Sequence, residues 1–392
     1  MREIRYAPRN VRETLVELKD VSELAIDLAY SAILAGDREL ATEVIELESR
    51  VDFLEYHARI ALMLAAKTVD DAERLVGMFQ VVDTAVATTH AAGDIARVLT
   101  KDVGLPASLR RALPEAEEAV VRAVIAEGSP YAGQTLGDLD IQSATGVRLL
   151  AVRRDETWDI EPDSDLKLSV GDVLIASGTD TGVEAFYEHA TTTPLEPQPI
   201  DTDIDDLERA VRTVVELRTV SEVAVGLAYS AALFDDDELA AEVHELEIRS
   251  DVLQSELEGW VIDAVPRVDN PHRLRGLLHL ARASEAICDA AVDITDAVLR
   301  NVPLHPVFGQ AIRESAEIIG SATVGDESSL VGQDVAEIEL ETQTGMVILA
   351  IRRGEQWLFD PEPGTTIHAG DVLVARGPRD GEAKLRAVCR PT

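Results

Sequence analysis

A repeat at a fixed offset constrains the fold of this chain more than any other feature of its sequence. The segment Leu-Ala-Tyr-Ser-Ala at residues 28–32 recurs at residues 227–231, an offset of 199 residues. A match that keeps one offset over most of the chain indicates a tandem duplication of a whole module, since the unit is far longer than a solenoid repeat. Other identical pairs at this offset are Arg50 and Arg249, Asp52 and Asp251, Gly133 and Gly332, Arg153-Arg154 and Arg352-Arg353, Trp158 and Trp357, and Gly171-Asp172 and Gly370-Asp371.

The charge balance excludes two classes of partner. The 392 residues include 73 Asp and Glu against 36 Lys and Arg, a formal net charge of −37. Nucleic-acid affinity depends on clustered basic residues, and anionic lipid surfaces attract basic segments, so we expect neither as a partner. The acids are spread over both repeats and only five of the basic residues are Lys. This surface suits a protein that stays soluble in concentrated salt, and it predicts a halophilic source, specifically a haloarchaeon.

The sequence predicts a cytoplasmic protein. The first residues form no apolar signal region, and no run of about 18 uncharged apolar residues occurs that would predict direct membrane insertion. The apolar stretch at residues 24–35 is too short to span a bilayer and is interrupted by Asp27. Two cysteines, Cys288 and Cys389, are too few for a disulfide framework or a thiolate metal site.

Each repeat begins with a predicted antiparallel helical bundle. Apolar residues at helical spacing cover residues 11–66, and Gly36-Asp37 divides them into two helices because Gly ends a helix and Asp caps the next. A third helix begins near Asp70 and extends to about residue 101, and its counterpart begins at Asn270-Pro271, a favoured helix start. A shorter fourth helix follows Leu105-Pro106. Long helices joined by tight turns are typical of bundles.

Each repeat ends with a predicted small α+β domain, which makes the fold class α and α+β multidomain. Short apolar runs at residues 120–125, 147–152 and 173–175 predict strands, and residues 136–139 predict a helical turn between them. Three Pro and three Thr within residues 191–199 predict a linker. The predicted boundaries are 8–117 for bundle 1, 118–189 for the first α+β domain, 190–205 for the linker, 206–315 for bundle 2 and 316–388 for the second α+β domain.

These modules resemble two known families. The bundles resemble PhoU domains in the Leu-Ala-Tyr-Ser-Ala segment and in Glu-Leu-Glu-Ser-Arg-Val-Asp at residues 46–52. The α+β domains resemble the C-terminal domain of TrkA-type potassium-uptake regulators, called RCK_C. They share Gly-Ser-Pro-x-x-Gly-x-Thr-Leu-x-x-Leu at residues 128–139, a strand ending in Arg-Arg, and Gly-Asp-Val-Leu at residues 171–174. The second copy keeps the Arg-Arg and Gly-Asp-Val-Leu segments.

The resemblance implies a non-enzymatic sensor or regulatory subunit for a membrane ion transporter or channel that carries potassium or another cation. No Gly-rich phosphate loop, Gly-x-Ser-x-Gly elbow or metal-type His pair indicates catalysis. The nucleotide-binding Rossmann half that usually precedes RCK_C is missing from the sequence, so NAD binding is not implied. The alternative function is that of a PhoU-like metal-binding adaptor in phosphate-transport signalling.

A small-molecule ligand is expected in the cleft between paired RCK_C domains, which in several relatives binds cyclic di-AMP. Phosphates favour Arg, and adenines favour apolar and aromatic side chains. The acids at Glu161 and Asp360 oppose an anionic ligand. The alternative makes the Arg residues salt-bridge partners and the Trp residues packing residues. The candidate ligand-binding residues are Leu149, Leu150, Arg153, Arg154, Trp158, Pro162, Leu349, Arg352, Arg353, Trp357, Asp360 and Pro361.

The duplication bears on how these domains pair. RCK_C domains resemble modules that pair about a two-fold axis, so the two copies could form an internal pseudo-dimer or each could pair in a homodimer. A flexible linker of roughly 20 residues reaches about 25 Å, which allows pairing within the chain. Unequal copies would then enclose one asymmetric cleft. The sequence leaves both arrangements open.

Carboxylates on the bundle helices are candidate metal ligands. Acids at i and i+4 lie on one helix face, and bundles hold metals between such pairs. The resemblance to PhoU implies a divalent or iron-type metal, with bundle 2 favoured because bundle 1 has Val86 and His90 where bundle 2 has acids. The alternative is a hydrated acidic face. The candidate ligands are Glu48 and Asp52 in bundle 1, and Glu247, Asp251, Glu285, Asp289 and Asp293 in bundle 2.

Overall fold

The first bundle has three long helices. The computed structural model describes residues 10–66, 68–105, 119–155, 157–160, 162–195, 207–234, 236–268, 270–299, 317–336, 338, 340–354, 356–359, 361 and 364–390. Helices α1 (Val11–Ala35), α2 (Arg38–Ala65) and α3 (Val69–Thr100) follow one another. Gly36 ends α1 with φ 65°, a conformation that favours glycine, and the Asp37 side chain accepts hydrogen bonds from the Glu39 and Leu40 amides at the start of α2. The predicted fourth helix after Leu105 lies outside the described residues.

The first small domain is a four-stranded antiparallel sheet with helices on one side. Its strands are β1 (Ala119–Val124), β2 (Arg148–Arg154), β3 (Thr157–Ile160) and β4 (Val173–Gly178), in the spatial order β1-β4-β2-β3. Short helices α4 (Leu136–Leu139) and α5 (Ile141–Thr145) precede β2, and α6 (Asp180–Thr191) follows β4. Helix α6 extends two residues beyond the predicted domain end at 189, and most of the predicted linker lies outside the described residues.

The second repeat has the same order of elements. Its bundle contains α7 (Leu207–Phe234), α8 (Asp237–Ala264) and α9 (Arg275–Leu299). Asn270 and Pro271 begin a short 3-10 turn, Pro271–Leu274, before α9, and the Asn270 side chain accepts from the His272 amide. The second sheet has β5 (Glu317–Thr323), β6 (Val347–Arg353), β7 (Gln356–Phe359) and β8 (Val372–Pro378) in the order β5-β8-β6-β7, with α10 (Leu340–Thr344) and α11 (Arg379–Cys389). The predicted fold class, a duplicated pair of helical bundle and small α+β domain, is confirmed.

Both faces of each sheet are covered. In the first small domain, Val121, Leu174 and Ala176 pack under the helices of that domain together with Phe186 of α6. Alternate residues point to the opposite face of a sheet, and Ala151 and Ile175 on that face belong to the same apolar core as the two bundles. Each small domain is therefore seated on its bundle by one face of its sheet.

The two bundles share one core through the segment that reveals the repeat. The Tyr30 hydroxyl of α1 lies 2.6 Å from Ser284 Oγ of α9 and 3.4 Å from Ser221 Oγ of α7. In the reverse direction, the Tyr229 hydroxyl of α7 lies 3.4 Å from Ser22 Oγ of α1. Residue numbers therefore rise along α1 as they fall along α7, so the helices are antiparallel and a pseudo-two-fold axis passes between them. The repeated Leu-Ala-Tyr-Ser-Ala segment therefore contributes to the interface between the bundles, where α3 also packs along α9 and Thr84 Oγ1 donates to the Ala290 carbonyl at 3.0 Å.

One helix resembles a membrane span in length and composition. Among the described residues, the segment Arg212–Phe234 of α7 meets that description, and 72% of its most apolar window is buried inside the protein. The core helix of a water-soluble bundle has the same properties, so this is weak support for a membrane segment.

Candidate ligand-binding site

The second arginine of each Arg-Arg pair stabilises its own domain. Arg154 binds Asp172 through two hydrogen bonds, Nε to Oδ1 at 2.7 Å and Nη2 to Oδ2 at 2.6 Å, and donates to the Lys167 carbonyl at 2.8 Å. Arg353 binds Asp371 in the same way at 2.9 and 2.8 Å. The hydrogen bond to Asp172 raises the pKa of Arg154. Both guanidinium groups thus hold the turn before the last strand of their domains.

The first arginine of each pair joins the small domain to its bundle. Arg153 donates to Glu43 of α2 from Nε at 2.6 Å and from Nη2 at 2.7 Å. Arg122 of β1 binds the same carboxylate at 2.8 Å, and Glu43 is only 2% exposed. In the second repeat Arg352 binds Glu242 of α8, with Nε at 2.6 Å from Oε2. Bidentate pairs of this kind are strong and geometrically specific.

The two tryptophans among the candidate ligand-binding residues also face the bundles. Trp158 is 8% exposed and belongs to the shared core, with the Arg153 guanidinium 5.8 Å from its ring centre. Trp357 stacks on Phe359 with ring centres 5.5 Å apart. The structure therefore gives the Arg and Trp candidates contacts within the protein, as the packing alternative expects. The carboxylates Glu43 and Glu242 were not singled out from sequence, because they are 110 residues away from their arginines and resemble the many other helical acids.

A cavity of about 600 Å³ lies where the two small domains meet α1 and α7. Four candidate ligand-binding residues line it, namely Leu149, Leu150, Pro162 and Leu349. Pro361 is described but is not among the lining residues, and Asp360 and Glu161 lie outside the described residues. A site of this size accommodates ligands of drug-like dimensions, and its wall combines apolar side chains with charged ones.

Repeat-related residues place this cavity on the pseudo-two-fold axis. Leu150 and its counterpart Leu349 both line it. So do two further pairs on the helices, Glu23 with Glu222 and Ile26 with Val225. One cavity can be lined by both members of a pair only near the axis that relates them. Within one chain, both small domains and both bundles therefore contribute to a single site.

Two arginines of the cavity do not follow the symmetry. Arg148 of β2 and Arg376 of β8 both line it, but their repeat counterparts are Val347 and Ser177. Arg148 pairs with Ser177 across the first sheet, and Val347 pairs with Arg376 across the second. Each domain therefore supplies one arginine from its equivalent pair of strands. In the first domain the arginine is on the earlier strand of the pair, β2, and in the second domain it is on the later strand, β8.

Asp27 of α1 is a further asymmetric group of the cavity, since its counterpart is Gly226. Burial, and after it the neighbouring Glu222 carboxylate, raise the pKa of Asp27 to about 7 against the opposing effect of Arg376 and Arg218. On α7 the missing side chain lets β5 approach closely, because a Cβ added to Gly226 would lie 2.4 Å from Ile319 Cδ1. At this pair of equivalent positions, α1 thus carries a titratable side chain, whereas α7 packs closely against β5.

Bundle 1 does not fit a metal at its candidate ligands. His90 Nε2 lies 2.9 Å from Asp52 Oδ1. Arg97 of α3 binds Glu48 and also Asp94, the latter at 2.9 Å. The hydrogen bond that Arg97 donates to Glu48 raises the pKa of Arg97. The Arg97 guanidinium therefore occupies the Glu48 carboxylate that a metal would need.

Bundle 2 keeps its acids together without these basic partners. Burial, then the repulsion of Asp251 and Asp289, raises the pKa of Glu247. Burial, then Asp289 and Asp251, raise the pKa of Glu285, and burial, then Asp251 and Asp293, raise that of Asp289. Asp296 stands where bundle 1 has Arg97. Within the described ranges, however, no three His, Cys, Asp or Glu side chains are arranged to hold a metal ion.

Comparison with known proteins matches family models to most of the chain. The model of the TrkA-C domain, the RCK_C family, matches residues 120–191 and 319–390. The model of the PhoU domain matches residues 15–99 and 214–298. A curated relative, the ammonium/H⁺ antiporter subunit AmhM of Alkalihalophilus pseudofirmus, is 31% identical over 62 residues. The match covers 16% of this chain and 37% of the length of that subunit.

Solved structures of both kinds are similar to parts of the chain. The RCK_C domain dimer of S. agalactiae BusR in complex with c-di-AMP is 26% identical, covering 19% of this chain and 88% of that one, with a TM-score of 0.17. PhoU from Pseudomonas aeruginosa is 15% identical, covering 74% of this chain and 96% of that one, with a TM-score of 0.39. By its family matches, the chain belongs to the PhoU and TrkA-C families and consists of two PhoU domains and two TrkA-C domains in tandem.

Proposed function

We propose that this protein is a non-enzymatic, cytoplasmic regulatory subunit of a membrane transporter or channel for potassium or another cation. It would read a small ligand in the cavity on the pseudo-two-fold axis. The observation that carries the proposal is that both TrkA-C domains and the first helices of both PhoU domains line this one cavity. A ligand there touches every domain of the chain at once.

This geometry suits a regulator for a physical reason. A ligand shifts a conformational equilibrium only by its different affinity for the two states. Occupation of a cavity between four domains makes that affinity depend on how the domains are arranged. The interface between α1 and α7 would carry the change from the TrkA-C domains to the bundles, which we propose contact the transporter.

Two likenesses support ion transport as the process. The TrkA-C and PhoU families are regulatory, and the matched part of AmhM belongs to a protein named as an antiporter subunit. Because that match covers a minority of AmhM, the kind of ion remains part of the proposal. Deletion of the gene should change cellular uptake of rubidium, a potassium surrogate, and restoring the gene should reverse the change. Unchanged uptake of rubidium and of ammonium would contradict the assignment to cation transport.

Cyclic di-AMP is the ligand that we propose first. The resemblance to RCK_C domains suggests it, and the BusR domain is described as bound to it. Calorimetric titration in concentrated KCl should give saturable binding of one cyclic di-AMP per chain. One ligand for two chains would indicate pairing between chains instead. No heat of binding at high micromolar ligand would remove cyclic di-AMP from the proposal.

A cavity-filling variant locates the binding. Leu150→Trp adds bulk to the cavity wall and should abolish the binding of cyclic di-AMP. Leu358→Trp is the matched control, because Leu358 of β7 is 37% exposed and is not among the lining residues. Binding that survives Leu150→Trp would place the ligand elsewhere.

The alternative function is a metal-dependent PhoU adaptor in phosphate signalling. It is favoured by burial and, after it, by the mutual repulsion of neighbouring carboxylates, which raise the pKa values of Glu247, Glu285 and Asp289. The protein purified from cells should then contain about one iron or divalent ion per chain, removed by Glu247→Ala and retained in Glu48→Ala. Metal-free protein that binds neither Mn²⁺ nor Fe²⁺ would exclude this function.

A further inference from the structure

We propose that Arg148 and Arg376 together bind the anionic group of the cavity ligand, and that Asp27 competes with this group for Arg376, so that binding takes up a proton. The inference rests on the proposed function, since it concerns the same cavity. It assigns the two arginines, the chemical class of the group they hold, and the way pH regulates the site.

The two arginines are placed to act together only when both TrkA-C domains are in position. Arg148 comes from β2 of the first domain and Arg376 from β8 of the second, and both line the cavity. Neither arginine has an arginine at its repeat-related position, yet each domain supplies one arginine to the cavity. Arginine from two sides is suited to a phosphate or a phosphodiester, which it binds through paired hydrogen bonds. Arg153 and Arg352 do not line the cavity and bind carboxylates of the bundles.

Asp27 lies among charged groups from three elements. On its own helix Glu23 is paired with Lys19 at 2.6 Å. On α7 Glu222 is paired with Arg218 at 2.7 Å. Both acids thus have a cation on their own helix, whereas the charge that favours ionised Asp27 most is that of Arg376, from β8 of the second TrkA-C domain. No hydrogen bond to the Asp27 side chain is present among the described residues.

An anion at Arg376 changes this balance. It adds negative charge beside Asp27 and accepts hydrogen bonds from Arg376, the arginine that favours the ionised carboxylate. Burial and the Glu222 charge already bring the pKa of Asp27 to about 7, so it is poised to accept a proton when the anion binds. Protonated Asp27 does not compete with the ligand for Arg376, whereas ionised Asp27 repels the anionic ligand. Affinity for an anion should therefore fall as the pH rises through about 7.

The test is titration with cyclic di-AMP at pH 6, 7 and 8 in constant KCl. For a single group with a pKa of about 7, Kd should rise about tenfold from pH 6 to pH 8. Asp27→Asn should bind tightly with a nearly constant Kd, and Arg376→Ala should bind weakly at every pH. Asp102→Asn, which removes an exposed carboxylate paired with Arg38, should keep the wild-type profile. Identical pH profiles for the wild type and Asp27→Asn would overturn the inference.

A second probe separates this inference from the choice of ligand. If cyclic di-AMP binds neither wild type nor Asp27→Asn, that ligand fails, and the same titrations are made with inorganic pyrophosphate. Binding of pyrophosphate that Arg148→Ala or Arg376→Ala removes would support the anion site. Binding of neither probe by Asp27→Asn would overturn it.

Proton uptake by Asp27 also has a readout without ligand. Its folded pKa of about 7 lies above its ordinary value of 3.8, so the folded protein holds this proton over a range in which the unfolded chain has lost it. Stability contributed by neutral Asp27 is present below pH 3.8 and is lost as the pH rises to about 7. The free energy of unfolding of the wild type should decline across this range relative to that of Asp27→Asn. A constant difference would show that Asp27 does not titrate there.

Discussion

At the scale of single residues, the structure gives different tasks to side chains of the same type. Four arginines that look alike in sequence are divided into two that hold a turn, Arg154 and Arg353, and two that reach a bundle, Arg153 and Arg352. Alternation along a strand sends neighbouring side chains to opposite faces. The acid opposite each arginine then decides its role.

Glu43 provides a direct test of the contact between domain and bundle. Glu43→Gln should lower the free energy of unfolding by about 2 to 3 kcal/mol, because hydrogen bonds to two guanidinium groups are lost in a buried setting. Urea unfolding in constant KCl measures the change. Glu39→Gln is the control, since Glu39 binds Arg122 at 2.7 Å while its side chain is 77% exposed, and exposed pairs contribute less than about 1 kcal/mol. Equal losses in both variants would contradict this account.

The second repeat sharpens the comparison. Glu242 binds Arg352, but Ser321 stands where the first repeat has Arg122. Glu242→Gln removes a buried carboxylate from one guanidinium, whereas Glu43→Gln removes it from two. The loss of stability should therefore be smaller for Glu242→Gln.

At the scale of elements, close approach between α7 and β5 depends on a residue without a side chain. A methyl group at Gly226 would lie 2.4 Å from Ile319 Cδ1 and 2.9 Å from its Cγ1. Gly226→Ala should destabilise the protein by about 1 to 3 kcal/mol, as overpacking does. Adding Ile319→Val removes the Cδ1 atom and should recover part of the loss in the thermal unfolding midpoint.

Gly259 of α8 is the matched control for this substitution. No atom lies within 4 Å of a Cβ added there, so Gly259→Ala should raise stability by about 0.5 to 1 kcal/mol through helix propensity alone. If Gly226→Ala were equally stabilising, α7 and β5 would not be in contact in solution.

Elements with strong local patterns could be predicted from the sequence, and those fixed by distant contacts could not. The division of α1 from α2 at Gly36-Asp37 and the helix at residues 136–139 follow local rules for turns and caps. Strand β3 was not predicted, because its four residues, Thr157–Ile160, contain no apolar run and become a strand only by pairing with β2. The α9 start was placed too early, since Pro271 begins a 3-10 turn.

The candidate site was predictable in part for the same reason. Leu149, Leu150 and Leu349 follow from the strand pattern and line the cavity. In the sequence Asp27 stands out only as an interruption of an apolar stretch, because its significance depends on Glu222 and Arg376, which are far away in sequence. No sequence pattern indicates a function for Arg148 and Arg376, because the repeat offset aligns them with Val347 and Ser177, which are not arginines.

At the scale of the whole molecule, the net charge of −37 sets the conditions under which the fold is stable. Like charges repel, and salt screens them over about 10 Å at 0.1 M and about 3 Å at 1 M. The thermal unfolding midpoint should therefore rise steeply with KCl up to roughly 1 M and then level off. NaCl is the control and should act equally, because screening does not depend on the identity of the ion. A midpoint independent of salt would contradict the predicted adaptation to concentrated salt.

The axis between α1 and α7 has an evolutionary consequence. In a dimer of identical chains, every substitution at the axis appears twice, so an acid at the position of Asp27 would face a second copy of itself and Gly226 could not coexist with it. Covalent fusion of the two halves removes that restriction. A mutation can then change one half of the protein alone. An ancestral symmetric receptor can in this way acquire an asymmetric binding site in which each half has a different role.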